Sequence, residues 1–386
     1  MGRERLFYGI FVYMITKNTS TRAKWLQLVW PAMLAIGLII FGFFPAAVER
    51  FYSLGLYPGI SILLRLLTKY IPFSLGDLIY IAFVIRLIVK LVRWIILVIR
   101  RKYTRQMFVF SLYRACHFLL WAFVVFKLIW GLNYDRQGIA HQLAIEKKTY
   151  SREDITTLTN SLIDKVNETR RLLPDTVLAD RPLDSIYREA YRSYQNRSYE
   201  FDFLNYRNRS VKSSLFTSVG DYMGFSGYYN PFTGEAQLRT DIPRVMIPYI
   251  ACHEMAHQLG YASESEANFV GYLAASASPD PYFRYSVYLD LFSYAQSEEI
   301  FLYSKEKDYK AFESVIKQNR ERLDTLVKKD RRAIREFFAK RRNRVSPAVS
   351  GLYDQYLKMN KQSEGIRSYD EVLGWLIAYQ RKYGKL

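Results

Sequence analysis

His253-Glu254-Met255-Ala256-His257 sets two imidazoles four residues apart. On a helix that spacing puts both rings on one face, where they can grip a single metal ion, and it leaves Glu254 beside the ion. A carboxylate in that position can take a proton from a water molecule, which is the chemistry of metal-assisted hydrolysis. The chain has four histidines in 386 residues, and two of them sit here. The plainer alternative is a structural helix with polar residues at an accidental spacing, so the flanking sequence has to decide.

The stretch fits the H-E-x-x-H signature of zinc-dependent peptidases, with Glu254 as general base and His253 and His257 as zinc ligands. A hydrolytic zinc takes three protein ligands and keeps a fourth position for water, so a third ligand is due nearby. Pro248 suits the opening of a helix, and Gly260 suits a left-handed cap after Leu259. Just beyond that turn, Glu264 and Glu266 are the candidates for the third ligand. Glu264 is favoured, because Glu266 is two residues on and points to another face of a following helix. Asn268, one turn past Glu264, is placed to support a ligand histidine by hydrogen bonding. Cys252 adjoins His253 but diverges from it by about 100° around a helix, so it reads as a small buried residue.

Upstream, Gly224 to Leu238 carries turn signals at Asn230-Pro231 and Thr233-Gly234 between aromatic and aliphatic residues, the pattern of a β-hairpin. An exposed edge strand ahead of the metal helix can pair with extended substrate backbone. Tyr228 or Tyr229 could donate a hydrogen bond to a developing oxyanion, although in a chain with 32 tyrosines core packing is the commoner job.

The first third of the chain is different in kind. Trp25 to Val48 carries no charge and is long enough to cross a bilayer core of about 30 Å. A second apolar run, Leu78 to Ile99, bears Arg86, Lys90 and Arg93 along one face, the pattern of basic residues snorkelling to headgroups or of a stripe for anionic lipid. A third runs from Phe108 to Trp130, with His117 as a structural polar group. Three spans are therefore expected, at about 25–47, 76–99 and 108–130, in a membrane anchor of residues 1–131. Arg3, Arg5, Lys17, Arg22 and Lys24, with Arg100, Arg101, Lys102 and Arg105, put the N-terminus and the second link in the cytoplasm. The Glu49 to Asp77 connection then lies on the far side, its apolar middle resting on the membrane surface.

Residues 132–386 follow as an extracytoplasmic domain, large enough for a core of its own. Helices are expected at Tyr150–Leu173, around Leu183–Tyr194, at Phe283–Tyr303, at the basic stretch Leu323–Arg341 and at Ser368–Lys382. Cys252 is its one cysteine, so no disulfide can form within it, which fits a bacterial envelope protein; the sequons at Asn167, Asn196 and Asn208 read as coincidence. The formal charge of +19 is concentrated at membrane edges and one basic helix, without a phosphate loop, zinc-finger spacing or aromatic RNA-binding signature. A lipid bilayer, not nucleic acid, is the expected partner.

Glu264-Ser265-Glu266-Ala267-Asn268 resembles the second motif of the gluzincins, which implies the metal-ligand role for Glu264 and the orienting role for Asn268, at a shorter interval from the second histidine than is usual there. A metzincin would need histidine at 263, which is Ser263. Over nearly its full length the chain resembles a bacterial membrane family of unknown function, found notably in Bacteroidetes and Firmicutes, whose members combine three N-terminal spans with such a motif. The matching residues are His253 to Gly260, Glu264 to Phe269 and Tyr222 to Pro231.

The expected fold is mainly α, in the α+β class: three transmembrane helices, then a zincin-like, mostly helical domain with a small hairpin or sheet. The expected function is a multi-pass, membrane-anchored zinc metallopeptidase acting on protein or peptide substrates in the periplasm or outside the cell. Two other classes compete: a scaffold whose zinc only pins the domain, and a binder of envelope polymers through the basic helix.

Overall fold

The computed structural model describes residues 25–146, 149–174, 181–305, 309–362 and 371–386. The basic tail of residues 3–24 and the expected serine cap at Ser368 lie outside them. Among the described residues the chain is mainly helical with one small sheet, and it divides into two units: 25–43 with Val84–Leu128, and Phe44–Phe83 with Ile129–Leu386.

The first unit holds helix α1 (Val29–Phe41), most of the helix leaving the second unit, and most of Arg105–Ile129. Trp25 meets Tyr113 edge to face, and the Tyr113 hydroxyl donates to Gln27.

The apolar runs form helices, but not the three expected spans. Among the described residues two helices are long and apolar enough to cross a membrane, Pro45–Thr68 (α2) and Arg105–Ile129 (α4). The run from Trp25 to Val48 breaks at Phe44, which takes φ −115° and ψ 75° ahead of Pro45, because a proline ring disfavours helical backbone in the residue before it. What precedes the break is 13 residues, about 20 Å of helix and short of the hydrocarbon core. The second run forms helix α3 (Leu75–Ile99), but Arg86, Lys90 and Arg93 make it too charged to qualify on composition. Its place is taken by α2, in the stretch expected to be a connection. Both qualifying helices are compatible with membrane anchoring by length and composition.

In the second unit the expected helices appear within a few residues of their predicted bounds, as α5 (Arg152–Arg171), α6 (Leu183–Ser198), α7 (Ile247–Gln258), α8 (Glu264–Ser276), α9 (Pro281–Lys305), α11 (Thr325–Lys340) and α13 (Val372–Tyr383), while two more, α10 (Tyr309–Arg322) and α12 (Ser346–Met359), were not expected from the sequence. Helix α5 opens with a capping box in which Ser151 Oγ accepts from Asp154 N and Asp154 accepts from Ser151 N. Its apolar stripe, Ile155, Leu158, Leu162 and Val166, is fully buried in the core.

Strands β1 (Val211–Ser213), β2 (Gly227–Asn230) and β3 (Glu235–Leu238) form the sheet in the order β1-β3-β2. The hairpin β2-β3 is antiparallel, pairing Gly227 with Leu238 and Asn230 with Glu235. Its turn is made by Asn230, whose side chain accepts from Phe232 N and whose carbonyl accepts from Gly234 N, with Gly234 at φ +69°. Strand β1 runs parallel to β3; at three residues it is too short to leave a periodic signal. Strand β2 is therefore an edge.

Candidate metal centre

Helix α7 carries the two histidines, and its ends are fixed by different means. Pro248 sits in its first turn, and the Tyr249 amide, which has no partner within the helix, donates to Ser286 Oγ of α9. The other end closes in a Schellman turn: Tyr261 N donates to the Ala256 carbonyl and Gly260 N to the His257 carbonyl, with Gly260 at φ +90°. A side chain at 260 would also strike the Tyr57 ring at 2.8 Å. The last carbonyls are met from α2: Tyr57 Oη donates to the Gln258 carbonyl at 3.1 Å and Ser61 Oγ to the same oxygen at 2.6 Å. Trp130 Nε1 donates to the His257 carbonyl at 3.3 Å. Gln258 ties the helix to the sheet region by donating to the carbonyls of Ser210 and Gly234.

These restraints hold a compact set of donors. His253, Glu254 and His257 form a buried group able to hold a metal ion, their ligand atoms all within 4.8 Å of one another. Glu264, in the first turn of α8, brings Oε2 to 3.2 Å from His253 Nε2 and 3.5 Å from His257 Nε2. His257 Nδ1 lies 2.7 Å from the Tyr261 carbonyl. A carbonyl can only accept, so Nδ1 carries a proton, and it is Nε2 that would give up its own proton and offer a lone pair to a metal ion. The other carboxylate oxygen of Glu264 accepts from Tyr353 Oη of α12 at 2.8 Å.

The electrostatics follow from burial and crowding. Burial alone would raise the Glu264 carboxyl, but the charges of His257 and His253 and their hydrogen bonds outweigh it and hold it well below the usual carboxylate range. Burial lowers His257, yet the Glu264 charge and hydrogen bond carry it up to about 9. Glu254 is pushed up to about 7 by burial, the two histidines opposing and Glu264 adding to the shift. Glu254 Oε2 is buried without a hydrogen-bond partner, and Glu264 Oε2 is met only by the two imidazole Nε2 atoms. A buried, unsatisfied carboxylate oxygen within 4.8 Å of two imidazoles suits a cation.

The other expected residues separate cleanly. Glu266 is turned away: its carboxylate accepts from Ile139 N at 2.8 Å and lies against Gly138, which has φ +71°. Asn268 is buried one turn past Glu264, and its main-chain carbonyl accepts from Tyr249 Oη. Tyr228 donates to Asp77, and the Tyr229 hydroxyl meets that of Tyr57, so both hydroxyls are engaged inside the fold. Cys252 is buried, and burial raises its thiol far above the usual range.

Two neighbours were not foreseen. Asp290 of α9 is close enough to His253 for their charges to interact, with burial pushing its carboxyl up to about 6 and His253 opposing. Its sequence signal is a lone acid in Val287-Tyr288-Leu289-Asp290-Leu291-Phe292. Tyr353 lies 89 residues from Glu264, and no local pattern announces it.

A family model described as Protein of unknown function (DUF3810) matches residues 52–377. The chain belongs to this family. No curated protein and no solved structure matches it. The DUF3810 match begins inside α2 and ends inside α13, so it takes in Tyr57 and Ser61 as well as the histidines, Glu264, Asp290 and Tyr353.

Two substitutions in the DUF3810 region separate structural from site carboxylates. Glu266→Ala should cost about 1–3 kcal/mol by leaving the Ile139 amide unpaired, with metal content unchanged; loss of metal from this variant would reverse the roles given to the two glutamates. Gly227 of β2 stands against the other acid, since a Cβ there would lie 2.6 Å from Glu254 Oε1 and 3.0 Å from its Cγ. Gly227→Ala should displace that carboxylate and lower any hydrolysis that depends on it by about a hundredfold, at a cost of about 1–3 kcal/mol in stability because the new Cβ also meets Ile250 Cγ2 at 3.0 Å. Unchanged turnover in this variant would show that Glu254 is not the reacting group.

Proposed function

We propose that the chain is a membrane-anchored zinc metallopeptidase in which His253, His257 and Glu264 hold the ion and Glu254 is the general base. The observation that carries this reading is the convergence of Glu264 Oε2 on both Nε2 atoms at 3.2 and 3.5 Å. Ligands about 2.0–2.2 Å from a tetrahedral zinc stand about 3.4 Å apart, so these spacings fit that ion. Two neutral imidazoles and one carboxylate are also a donor set that zinc favours in hydrolytic sites. The His257 ring need only release its Nε2 proton to bind, because the Tyr261 carbonyl already orients it through Nδ1.

When bound, the ion would supply Lewis acidity, polarising a peptide carbonyl and lowering the pKa of a nearby water toward about 7. The rest falls to the chain. Glu254, whose carboxylate lies among the proposed ligands, is placed to take a proton from water and return it to the leaving amine. Strand β2 has no strand partner on one side among the described residues and passes beside Glu254, a place where extended substrate backbone could pair as an added strand. Tyr353, on Glu264, helps to orient that ligand.

The burial of the site supports a second reading. His253, His257 and Glu264 are only 6–8% exposed, as suits a cation that merely braces α7 against α8. Hydrolysis separates the two. The full chain in detergent, incubated with a mixture of unstructured peptides, should cleave them, stop on addition of a chelator and resume with stoichiometric zinc. A protein that binds zinc and is stabilised by it, yet cleaves nothing, would leave the bracing role in possession.

A further inference from the structure

Beside β2 lies a cavity of about 320 Å³ whose walls include Arg239, Arg341, Arg342, Asp221, Phe225 and Phe338. Part of its lining is Gly224 to Ser226, the residues that lead directly into β2. The next residue, Gly227, is the one against which Glu254 packs. A peptide paired with the edge of β2 advances about 3.3 Å per residue, with alternate side chains on one face. A side chain one to three residues from the bond beside Glu254 therefore comes level with the cavity.

The walls carry three guanidinium groups and one carboxylate, and the three are not equivalent. Arg239 is committed: it bonds Asp221 at 2.8 Å, Asp241 at 2.9 Å and the Phe225 carbonyl at 3.2 Å, fixing the loop that lines the cavity. Arg341 is partly committed, 3.4 Å from Asp221 and stacked over the Phe337 ring at 3.7 Å. Arg342 is exposed and its side chain makes no hydrogen bond or ion pair among the described residues. An unspent guanidinium fork, next to a second with donors to spare, suits a planar carboxylate. The aromatic walls suit the methylene stem of such a side chain, and the volume lies at the small end for ligand sites, enough for one side chain.

We propose that this cavity is a specificity pocket for an acidic residue, glutamate or aspartate, of a peptide lying on β2. The proposal rests on the peptidase reading for its location, and its test is built to fail separately. Fluorescein-labelled alanine-glycine heptapeptides, with a single Glu scanned through each position and matched Gln peptides as controls, would be titrated by anisotropy into the full-length Glu254→Gln protein in detergent. At one or two neighbouring positions the Glu peptide should bind about tenfold tighter than its Gln partner. Arg342→Glu should abolish or reverse that preference, and Arg342→Lys should keep part of it. Equal affinities at every position, a preference unmoved by Arg342→Glu, or no peptide binding would each overturn the pocket. Wild-type cleavage with no acidic preference also sinks it and spares the peptidase reading; an acidic preference in binding with no cleavage by wild type does the reverse.

Discussion

Glu254→Gln is expected to keep one metal ion per chain and to lose peptide hydrolysis by a factor of about 10²–10⁴, the usual contribution of a general base. The substitution keeps the volume of a side chain that is 4% exposed. It removes the ability to accept a proton and leaves His253, His257 and Glu264 untouched. It also replaces a carboxylate whose ionisation is opposed by burial, so the variant should melt no lower than wild type. Metal analysis, thermal melting and turnover on one peptide pool read the three consequences. Full turnover with metal in place would remove Glu254 from the mechanism, and loss of metal would make it a ligand.

His257→Ala and Glu264→Ala should both lose the ion, with affinity falling by more than the roughly 10–100-fold typical of losing a merely supporting partner. The folding consequences differ in origin. Without His257, the buried Glu264 carboxylate loses the stronger of its two opposite charges, and stranding a buried charge costs about 3–5 kcal/mol. Without Glu264, His257 loses what lifts its pKa to about 9, and the ring reverts to a neutral group still anchored on the Tyr261 carbonyl. Glu264→Ala should therefore be the milder variant in stability and equal in metal loss. Stoichiometric metal in either purified variant would contradict the ligand assignment.

The local part of the site was legible in the sequence. Pro248 and Gly260 bound the histidine helix within a residue of its observed ends, because both act through backbone chemistry that needs no tertiary partner. The separation of Glu264 from Glu266 was legible for the same kind of reason, since neighbouring helix positions face different ways. What escaped were contacts made over long stretches of chain. Tyr353, Asp290 and the Tyr57–Ser61 clamp reach α7 and α8 from helices whose own periodicity says nothing of what they face. The membrane reading erred in placement for a related reason. Hydropathy sums composition and does not weigh one proline at the end of a run, so the break at Phe44-Pro45 was missed. It also averaged over α2, in which Tyr57, Ser61, Arg65 and Thr68 are buried on one face while Leu63, Leu66 and Leu67 remain exposed.

The most direct test of the central claim is X-ray absorption at the zinc edge on the purified full-length protein, alongside Glu264→Ala and Glu266→Ala. Wild type and Glu266→Ala should show one zinc with two imidazole nitrogens at about 2.0–2.1 Å and oxygen at about 2.0–2.2 Å, and Glu264→Ala should show that site lost. Absence of stoichiometric metal in wild type, or an unchanged coordination shell in Glu264→Ala, would contradict it.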